Sequence, residues 1–243
     1  MKQHDLAALL SPNPYPGRGI IAGLTPDGQK AVAAYFIMGR SENSRNRIFR
    51  PQGEDVMIYP FDESKVEDPS LIIYAPVRSL PGWLIVTNGD QTDTIRDFLQ
   101  RGDCFESALR TRRFEPDAPN YTPRISALLH LEGEYWYQLS ILKSTDGKGE
   151  KCSRFTFDYA PMPGVGHFIH TYIGDGAPLP SFEGEPEQVS LPNDIDSLTD
   201  CLWSSLDASN KISLFVRLVD LKTGKSQTRI CNKHHEGGHH ERI

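Results

Sequence analysis

The chain has 243 residues, of which 38% are hydrophobic and 24% charged, and its formal net charge is −6. These values are typical of a globular protein with a substantial core, and the negative charge argues against a protein that coats nucleic acid or an anionic membrane. Four cysteines without a CxxC pair, and no apolar run near the roughly 20 residues of a membrane span, predict a cytoplasmic protein without a zinc ribbon or disulfide framework. Any positively charged binding site must therefore be confined to a small part of the protein.

The N-terminal third predicts mainly β-structure. Residues 19–24 and 31–38 are apolar and flank a turn that contains Pro26 and Gly28, which indicates a β-hairpin. An arginine-rich loop follows at once, within residues 40–47. Short runs rich in β-branched and aromatic residues then predict three more strands, in DVMIYP, SLIIYAPVRSL and GWLIVTN.

Two helices are expected next, in the segment GDQTDTIRDFLQRGDCFESALRTRRF. Asp90 or Thr92 can cap the first helix, which runs to Arg101. Gly102 ends that helix, and Asp103 can cap the second.

The second half returns to strands, in ISALLHLEG, EYWYQLSILKS, CSRFTFDYA and GVGHFIHTYIG. A proline- and acid-rich connection around residues 176–194 leads to a helix in DIDSLTDCLWSSL and a last strand in NKISLFVRLVDL. This order favours an α+β fold of antiparallel or mixed sheets with helices on their outer faces. One final helix and strand are too little for a second core, so we expect residues 1–243 to form one domain with a flexible tail from about residue 232.

The loop at residues 40–47 is the first candidate site. Its hydrogen-bond donors are the side chains of Arg40, Ser41, Asn43, Ser44, Arg45, Asn46 and Arg47. Guanidinium groups match phosphate or carboxylate groups bidentately, and amides and hydroxyls add neutral donors, so the composition fits an anion pocket. A solvated loop whose arginines pair with nearby acidic residues explains the same composition.

A second candidate is the strand-to-helix turn VTNGDQTDTI, residues 86–95. The strand ends near Asn88 and a helix opens near Thr92, which exposes backbone N–H groups beside polar side chains. An ordinary, well-capped turn is the alternative.

The loop FEPDAPNYTPRI, residues 114–125, is the third candidate. Its three prolines fix backbone angles, so polar side chains are held in place at little further entropic cost. That rigidity suits a catalytic carboxylate such as Glu115 or Asp117, and a rigid surface crossover is the alternative.

Histidines give weaker signals. His167 and His170 lie three positions apart in a predicted strand, where alternation directs them to opposite faces, so they are not expected to share a metal. One of them can face a ligand, and a structural role for each is the alternative. The four histidines of the tail CNKHHEGGHHERI could capture a transition metal, but a disordered terminus is the simpler interpretation. The sequence has no Walker A loop, no GxGxxG turn after a strand and no GxSxG elbow. These absences argue against a P-loop NTPase, a dinucleotide-binding protein and an α/β-hydrolase.

Five segments, YPGRGIIAG, AAYFIMGRS running into NR, IIYAPVR, VTNGDQTDTI and NYTPRISALL, occur in an order and spacing that resemble the archaeal-type IMP cyclohydrolases. The chain resembles a bacterial member of that family over roughly residues 15–130. The resemblance implies an Ntn-hydrolase-like fold, a four-layer α-β-β-α sandwich of mostly antiparallel sheets. It also implies closure of 5-formamido-1-(5-phosphoribosyl)imidazole-4-carboxamide to inosine monophosphate with loss of water, the last step of purine biosynthesis, without cofactor or metal.

The resemblance further implies the site residues. Arg47 and Tyr74 would stabilise the oxygen of the tetrahedral adduct, and Glu115 would accept the amide proton, with Asp117 as its rival. Of the residues expected to bind substrate, Arg40, Asn88 and Thr92 match the family's motifs. The others, Arg18, Arg45, Asn46, Arg124 and His170, are expected from the segments in which they stand.

A small nucleotide substrate is the expected partner, with no nucleic acid and no membrane, and a homo-oligomer is compatible with the sequence. Two alternatives remain open. One is a purine-nucleotide-binding regulatory protein without turnover, and the other is an Ntn-type amidase or cyclic amidohydrolase that acts on another substrate. Turnover of the formamido nucleotide separates the cyclohydrolase from both.

Overall fold

Two β-sheets occupy the middle of the structure, which is a computed structural model describing residues 3–65, 74–234 and 241–242. In chain order the strands are β1 (Arg18–Leu24), β2 (Lys30–Met38), β3 (Ile48–Gln52), β4 (Asp55–Tyr59), β5 (Val77–Leu80), β6 (Trp83–Thr87), β7 (Arg124–His130), β8 (Trp136–Ser144), β9 (Cys152–Tyr159), β10 (Val165–His170), β11 (Glu187–Ser190), β12 (Lys211–Asp220), β13 (Ser226–Asn232) and β14 (Glu241–Arg242). The helices are α1 (Leu6–Leu10), α2 (Glu42–Arg45), α3 (Gln91–Gln100), α4 (Phe105–Arg110) and α5 (Ile195–Ser205).

Each sheet contains seven strands within the described part of the chain. The first sheet has the order β11-β10-β1-β2-β12-β13-β14 and the second the order β3-β4-β5-β6-β7-β8-β9, and neighbouring strands run antiparallel. This confirms the predicted α+β class with mostly antiparallel sheets. The predicted hairpin is formed by β1 and β2, with Ile20 opposite Tyr35, and Gly28 adopts in its turn a φ of +70°, which glycine tolerates.

Three groups of buried side chains define the layers. The group between the two sheets includes Ile20, Tyr35, Phe49 and Leu139. A second group joins α1 and α5 to the first sheet and includes Leu10, Leu202 and Phe36. A third joins α3 and α4 to the second sheet and includes Ile95, Phe105 and Ile85. The layers therefore follow the order helices, sheet, sheet, helices, and burial of each such side chain contributes about 1.5–3 kcal/mol.

Several elements differ from the sequence prediction. α3 ends at Gln100, and Asp90 precedes it without a side-chain capping bond. α4 follows Cys104, so the predicted cap by Asp103 is wrong. The sequence does not predict α1, α2, β3, β11 or β13, because these elements are short or polar. The polar strand β13, for example, is held by its pairing with β12.

Parts of two predicted features lie outside the described residues. Residues 70–73 of the strand predicted in SLIIYAPVRSL lie outside them, and β5 begins at Val77. Residues 235–240 of the tail predicted to be flexible are also outside them, while Glu241–Arg242 pair with β13. Within the described residues, no helix has both the length and the apolar character needed to span a membrane.

Candidate active site

A cavity of about 450 Å³ lies where strand ends of the two sheets meet. It brings together these predicted site residues: Arg18 at the start of β1, Arg47 before β3, Tyr74 before β5, Asn88 after β6, Glu115 between α4 and β7, and Arg124 at the start of β7. The other described residues that line the cavity are Gly89, Asp90, Pro116, Asp117 and Thr122.

Arg18 and Arg47 line this cavity with their guanidinium groups. Among the described residues, neither group makes a hydrogen bond or an ion pair, and the buried Nε of Arg47 is unsatisfied. Burial, and then the neighbouring charge of Arg18, lower the pKa of Arg47. A desolvated cation without a partner is costly, so an anionic or strongly polar ligand would stabilise this pair.

Arg124, in contrast, is shared between two carboxylates. Its Nη1 donates to Asp90 Oδ1 at 2.5 Å and to Gln91 Oε1 at 2.6 Å, while its Nη2 lies 3.1 Å from the Glu115 carboxylate. Arg112 also donates to Asp90 Oδ1. Burial disfavours the charge of Asp90, but the two arginines outweigh it and lower the pKa of this carboxyl group. Asp90 therefore stays ionised.

Glu115 and Asp117 lie on the same loop in different environments. Burial raises the pKa of Glu115 despite the opposing charge of Arg124. Asp117 is exposed, and it accepts hydrogen bonds from the backbone N–H of Thr122 at 2.7 Å and from the Thr122 hydroxyl at 2.5 Å. Asp117 thus closes the loop, whereas Glu115 has the environment of a group that transfers protons.

Tyr74 and Asn88 form a hydrogen-bonded wall of the cavity. The Tyr74 hydroxyl donates to the Asn88 carbonyl at 2.8 Å. The Asn88 side chain accepts from the Ile125 N–H at 2.9 Å and donates to the Pro123 carbonyl at 2.8 Å, which ties the end of β6 to β7. Both side chains are therefore fixed by protein contacts before any ligand binds.

Arg40 and Arg45 are not among the described residues that line the cavity. Arg40 pairs with Asp175, and Arg45 donates to Asn210 Oδ1 at 3.3 Å. Arg45 is the last residue of α2, whose capping box consists of two serine side chains, and Arg40 precedes that helix. Much of the polar composition of this loop therefore serves its own folding.

Asn46, Thr92 and His170 also lie outside the described lining, and each has a protein partner. Asn46 exchanges two hydrogen bonds with the Asp62 backbone, at 2.8 and 2.7 Å. Thr92 donates to a carbonyl of the turn before α3 at 2.9 Å. The Nε2 atom of His170 lies 3.1 Å from the Glu187 carboxylate.

The sequence did not indicate the pairing of Asp90. Its partners Arg112 and Arg124 lie 22 and 34 residues away, so no local pattern links them. Among the described residues, no three His, Cys, Asp or Glu side chains are grouped as metal ligands. Three of the tail histidines fall within residues 235–240, outside the described residues.

His167 and His170 point to opposite faces of the first sheet, as predicted. His167 faces the second sheet, where its Nδ1 is hydrogen-bonded to the Tyr137 hydroxyl at 2.7 Å and its ring stacks on Tyr159. His170 stacks instead on Phe168, whose side chain packs in the group of α1 and α5. Burial lowers the pKa of His167 to about 4.

We expect His167 to make the protein less stable in acid. The pKa of His167 is about 6.5 when unfolded and about 4 when folded, so its contribution is complete above pH 6.5 and is lost as the pH falls toward 4. The loss in free energy of unfolding should reach about 3 kcal/mol. Denaturant titrations at several pH values measure it. His167→Gln should remove this part of the slope, and an unchanged slope in that variant would contradict the assignment.

Comparison with known proteins places the chain in a family. The family model described as "IMP cyclohydrolase-like protein" matches residues 15–225. A protein of Methanopyrus kandleri named IMP cyclohydrolase is 32% identical over 162 residues, which are 61% of this chain and 78% of that protein. Proteins of the same name from Halobacterium salinarum and Methanocella arvoryzae are 31% and 32% identical, over 49% and 47% of this chain and 59% and 57% of their own lengths. The chain belongs to the IMP cyclohydrolase-like family.

Proposed function

We propose that the chain is an IMP cyclohydrolase, which closes 5-formamido-1-(5-phosphoribosyl)imidazole-4-carboxamide to inosine monophosphate with loss of water. Family membership and the names of the archaeal relatives support this activity. The observation that carries it is the cavity in which the guanidinium groups of Arg18 and Arg47, unpaired among the described residues, accompany the partly buried carboxyl group of Glu115. Its volume of about 450 Å³ falls among small-molecule sites, which span roughly 300–1,000 Å³.

The reaction joins two groups of one molecule, so positioning is central to catalysis. The carboxamide nitrogen attacks the formyl carbon, and holding both in near-attack geometry can contribute roughly 7–11 kcal/mol. Negative charge then develops on the formyl oxygen, and we assign its stabilisation to the guanidinium group of Arg47, whose buried Nε has no hydrogen-bond partner among the described residues. This oxygen leaves as water, with one hydrogen from the carboxamide and one from the formamido nitrogen.

Glu115 is assigned to move the carboxamide proton. In its ionised form it accepts that proton, and its raised pKa makes the resulting acid able to return the proton to the departing oxygen. Arg124 orients the carboxylate. Tyr74 was expected to stabilise the adduct oxygen as well, but its hydroxyl proton is donated to the Asn88 carbonyl. We therefore assign Tyr74 to support of the cavity wall.

The substrate phosphate is assigned to Arg18. Arg40 and Arg45, the anchors suggested by the loop composition, bind Asp175 and Asn210 outside the described lining. Arg18 lines the cavity with a guanidinium group that no described residue binds, and its fork matches phosphate geometry.

We also propose that residues 1–243 form one domain with an Ntn-hydrolase-like fold. The order of layers, helices, sheet, sheet, helices, supports the fold. The late strands β12 and β13 lie beside β2 in the first sheet, which also contains β1, so segments from both halves of the chain form one sheet.

Conversion of the formamido nucleotide by the purified protein tests this function. We expect inosine monophosphate to form at the same rate before and after dialysis against a chelator, because the proposed steps use only side chains of the chain. Mass spectrometry detects the product by the loss of one water. Tight binding of inosine monophosphate without conversion would contradict the enzyme and favour a nucleotide-binding regulatory protein.

A further inference from the structure

The carboxylate of Asp90 lies at the cavity, and the proposed reaction steps give it no role. It stands beside the proposed proton-transfer group but is directed to arginines, with Arg112 and Arg124 both donating to its Oδ1. It is not needed as a helix cap, because it makes no side-chain capping bond to α3. With 54% of its side chain exposed, it is also not a packing residue.

Arg124 divides its guanidinium group between two acids. The Nη1 contact with Asp90 is short, at 2.5 Å, whereas Nη2 lies at 3.1 Å from Oε1 and also from Oε2 of Glu115. Without Asp90, Nη1 would keep only the neutral Gln91 as partner, and the guanidinium group could turn to a forked pair with Glu115. Such a pair stabilises the ionised carboxylate and makes it a weaker base.

We propose that Asp90 is a positioning residue of the ring closure: it holds Arg124 partly away from Glu115 and so keeps Glu115 basic enough to take the carboxamide proton. This role rests on the proposed cyclohydrolase activity. The negative charge of Asp90 also raises the pKa of Glu115 directly, which is the same direction as the effect of holding Arg124 away. Among the described residues, the charged and titratable groups around Glu115 are Arg124, Asp90, Arg18, Asp117, Arg47 and Tyr74. The proposed change in the Glu115 pKa involves only Asp90 and Arg124, and it requires no movement of the other groups.

The test is the titration of Glu115 itself, followed by ¹³C NMR of labelled glutamate carboxyl groups and assigned with Glu115→Gln. In Asp90→Asn we expect the apparent pKa of Glu115 to fall by roughly one unit. Asp90 makes no capping bond to α3 and 54% of its side chain is exposed, so the variant should fold. Asp90→Glu, which keeps the charge, should stay closer to the unmutated protein.

Asp97→Asn is the matched control, since it removes the same charge from a surface position of α3 where the carboxylate pairs with Arg96. It should leave the titration of Glu115 unchanged. An unchanged or raised pKa of Glu115 in Asp90→Asn would overturn the positioning role.

Kinetics separate this proposal from the activity on which it rests. If the protein turns over the formamido nucleotide, the acid limb of kcat/KM in Asp90→Asn should move to lower pH by the same amount as the titration. A shifted titration in a protein without turnover would mean that the proposed activity is wrong although the coupling of Asp90, Arg124 and Glu115 exists. Normal turnover with an unmoved titration would mean that only the role of Asp90 is wrong.

Discussion

Glu115→Gln should lower kcat for ring closure by about 10²- to 10⁴-fold, the usual range for loss of a general acid or base. Glutamine keeps the size of the side chain and can still accept a hydrogen bond from Arg124, so substrate affinity should change little. The remaining activity would come from positioning in the cavity. Steady-state kinetics with the formamido nucleotide provide both constants.

Asp117→Asn is the matched control for this variant. Asp117 accepts two hydrogen bonds from Thr122 and closes the loop, so its replacement should affect stability more than kcat. A severe loss in Asp117→Asn together with a silent Glu115→Gln would reverse the assignment. In the unmutated protein, kcat/KM should fall as the pH drops through the raised pKa of Glu115, because the base is then protonated before substrate binds.

Arg18→Ala should lower kcat/KM for the nucleotide by roughly 10- to 150-fold, because each charged hydrogen bond lost is worth about 1.5–3 kcal/mol. Arg18→Lys should recover only part of this, since an ammonium group lacks the bidentate fork. The nucleoside without phosphate should be a poor substrate for the unmutated protein, because the remote phosphate helps to hold the reacting groups. Arg18→Ala should leave that low rate nearly unchanged.

Arg47→Ala should slow nucleotide and nucleoside alike, because Arg47 is assigned to the reacting oxygen. Arg40→Ala and Arg45→Ala are the controls, since both arginines lie outside the described lining, and their effects on kcat/KM should be small. Equal rates for nucleotide and nucleoside in the unmutated protein would contradict phosphate anchoring. A large loss confined to Arg40→Ala or Arg45→Ala would return the phosphate to the loop of α2.

Local patterns predicted much of the fold. The hairpin of β1 and β2 and the long strands β7, β8 and β12 follow from apolar runs bounded by turns, and α5 from its helical periodicity. Strands such as β13 could not be predicted, because their partners in the sheet rather than their composition hold them in place.

The site was predictable only in part. Arg47, Glu115 and Arg124 stand in segments whose residues fit a site, and the structure brings them to one cavity. The same loop composition also suggested Arg40 and Arg45, but the sequence does not reveal that Asp175 and Asn210, more than 100 residues later, bind them. Which arginine remains unpaired depends on these distant contacts, and composition carries no information about them.

A crystal structure with inosine monophosphate bound tests the central claim most directly, namely that the cavity of Arg18, Arg47 and Glu115 closes the purine ring. The account predicts the phosphate within hydrogen-bond distance of the Arg18 guanidinium group. The N1–C2 edge of the purine, where the new bond forms, should lie against Glu115 and Arg47. Inosine monophosphate bound at another surface, or in this cavity with its N1–C2 edge away from Glu115, would contradict it.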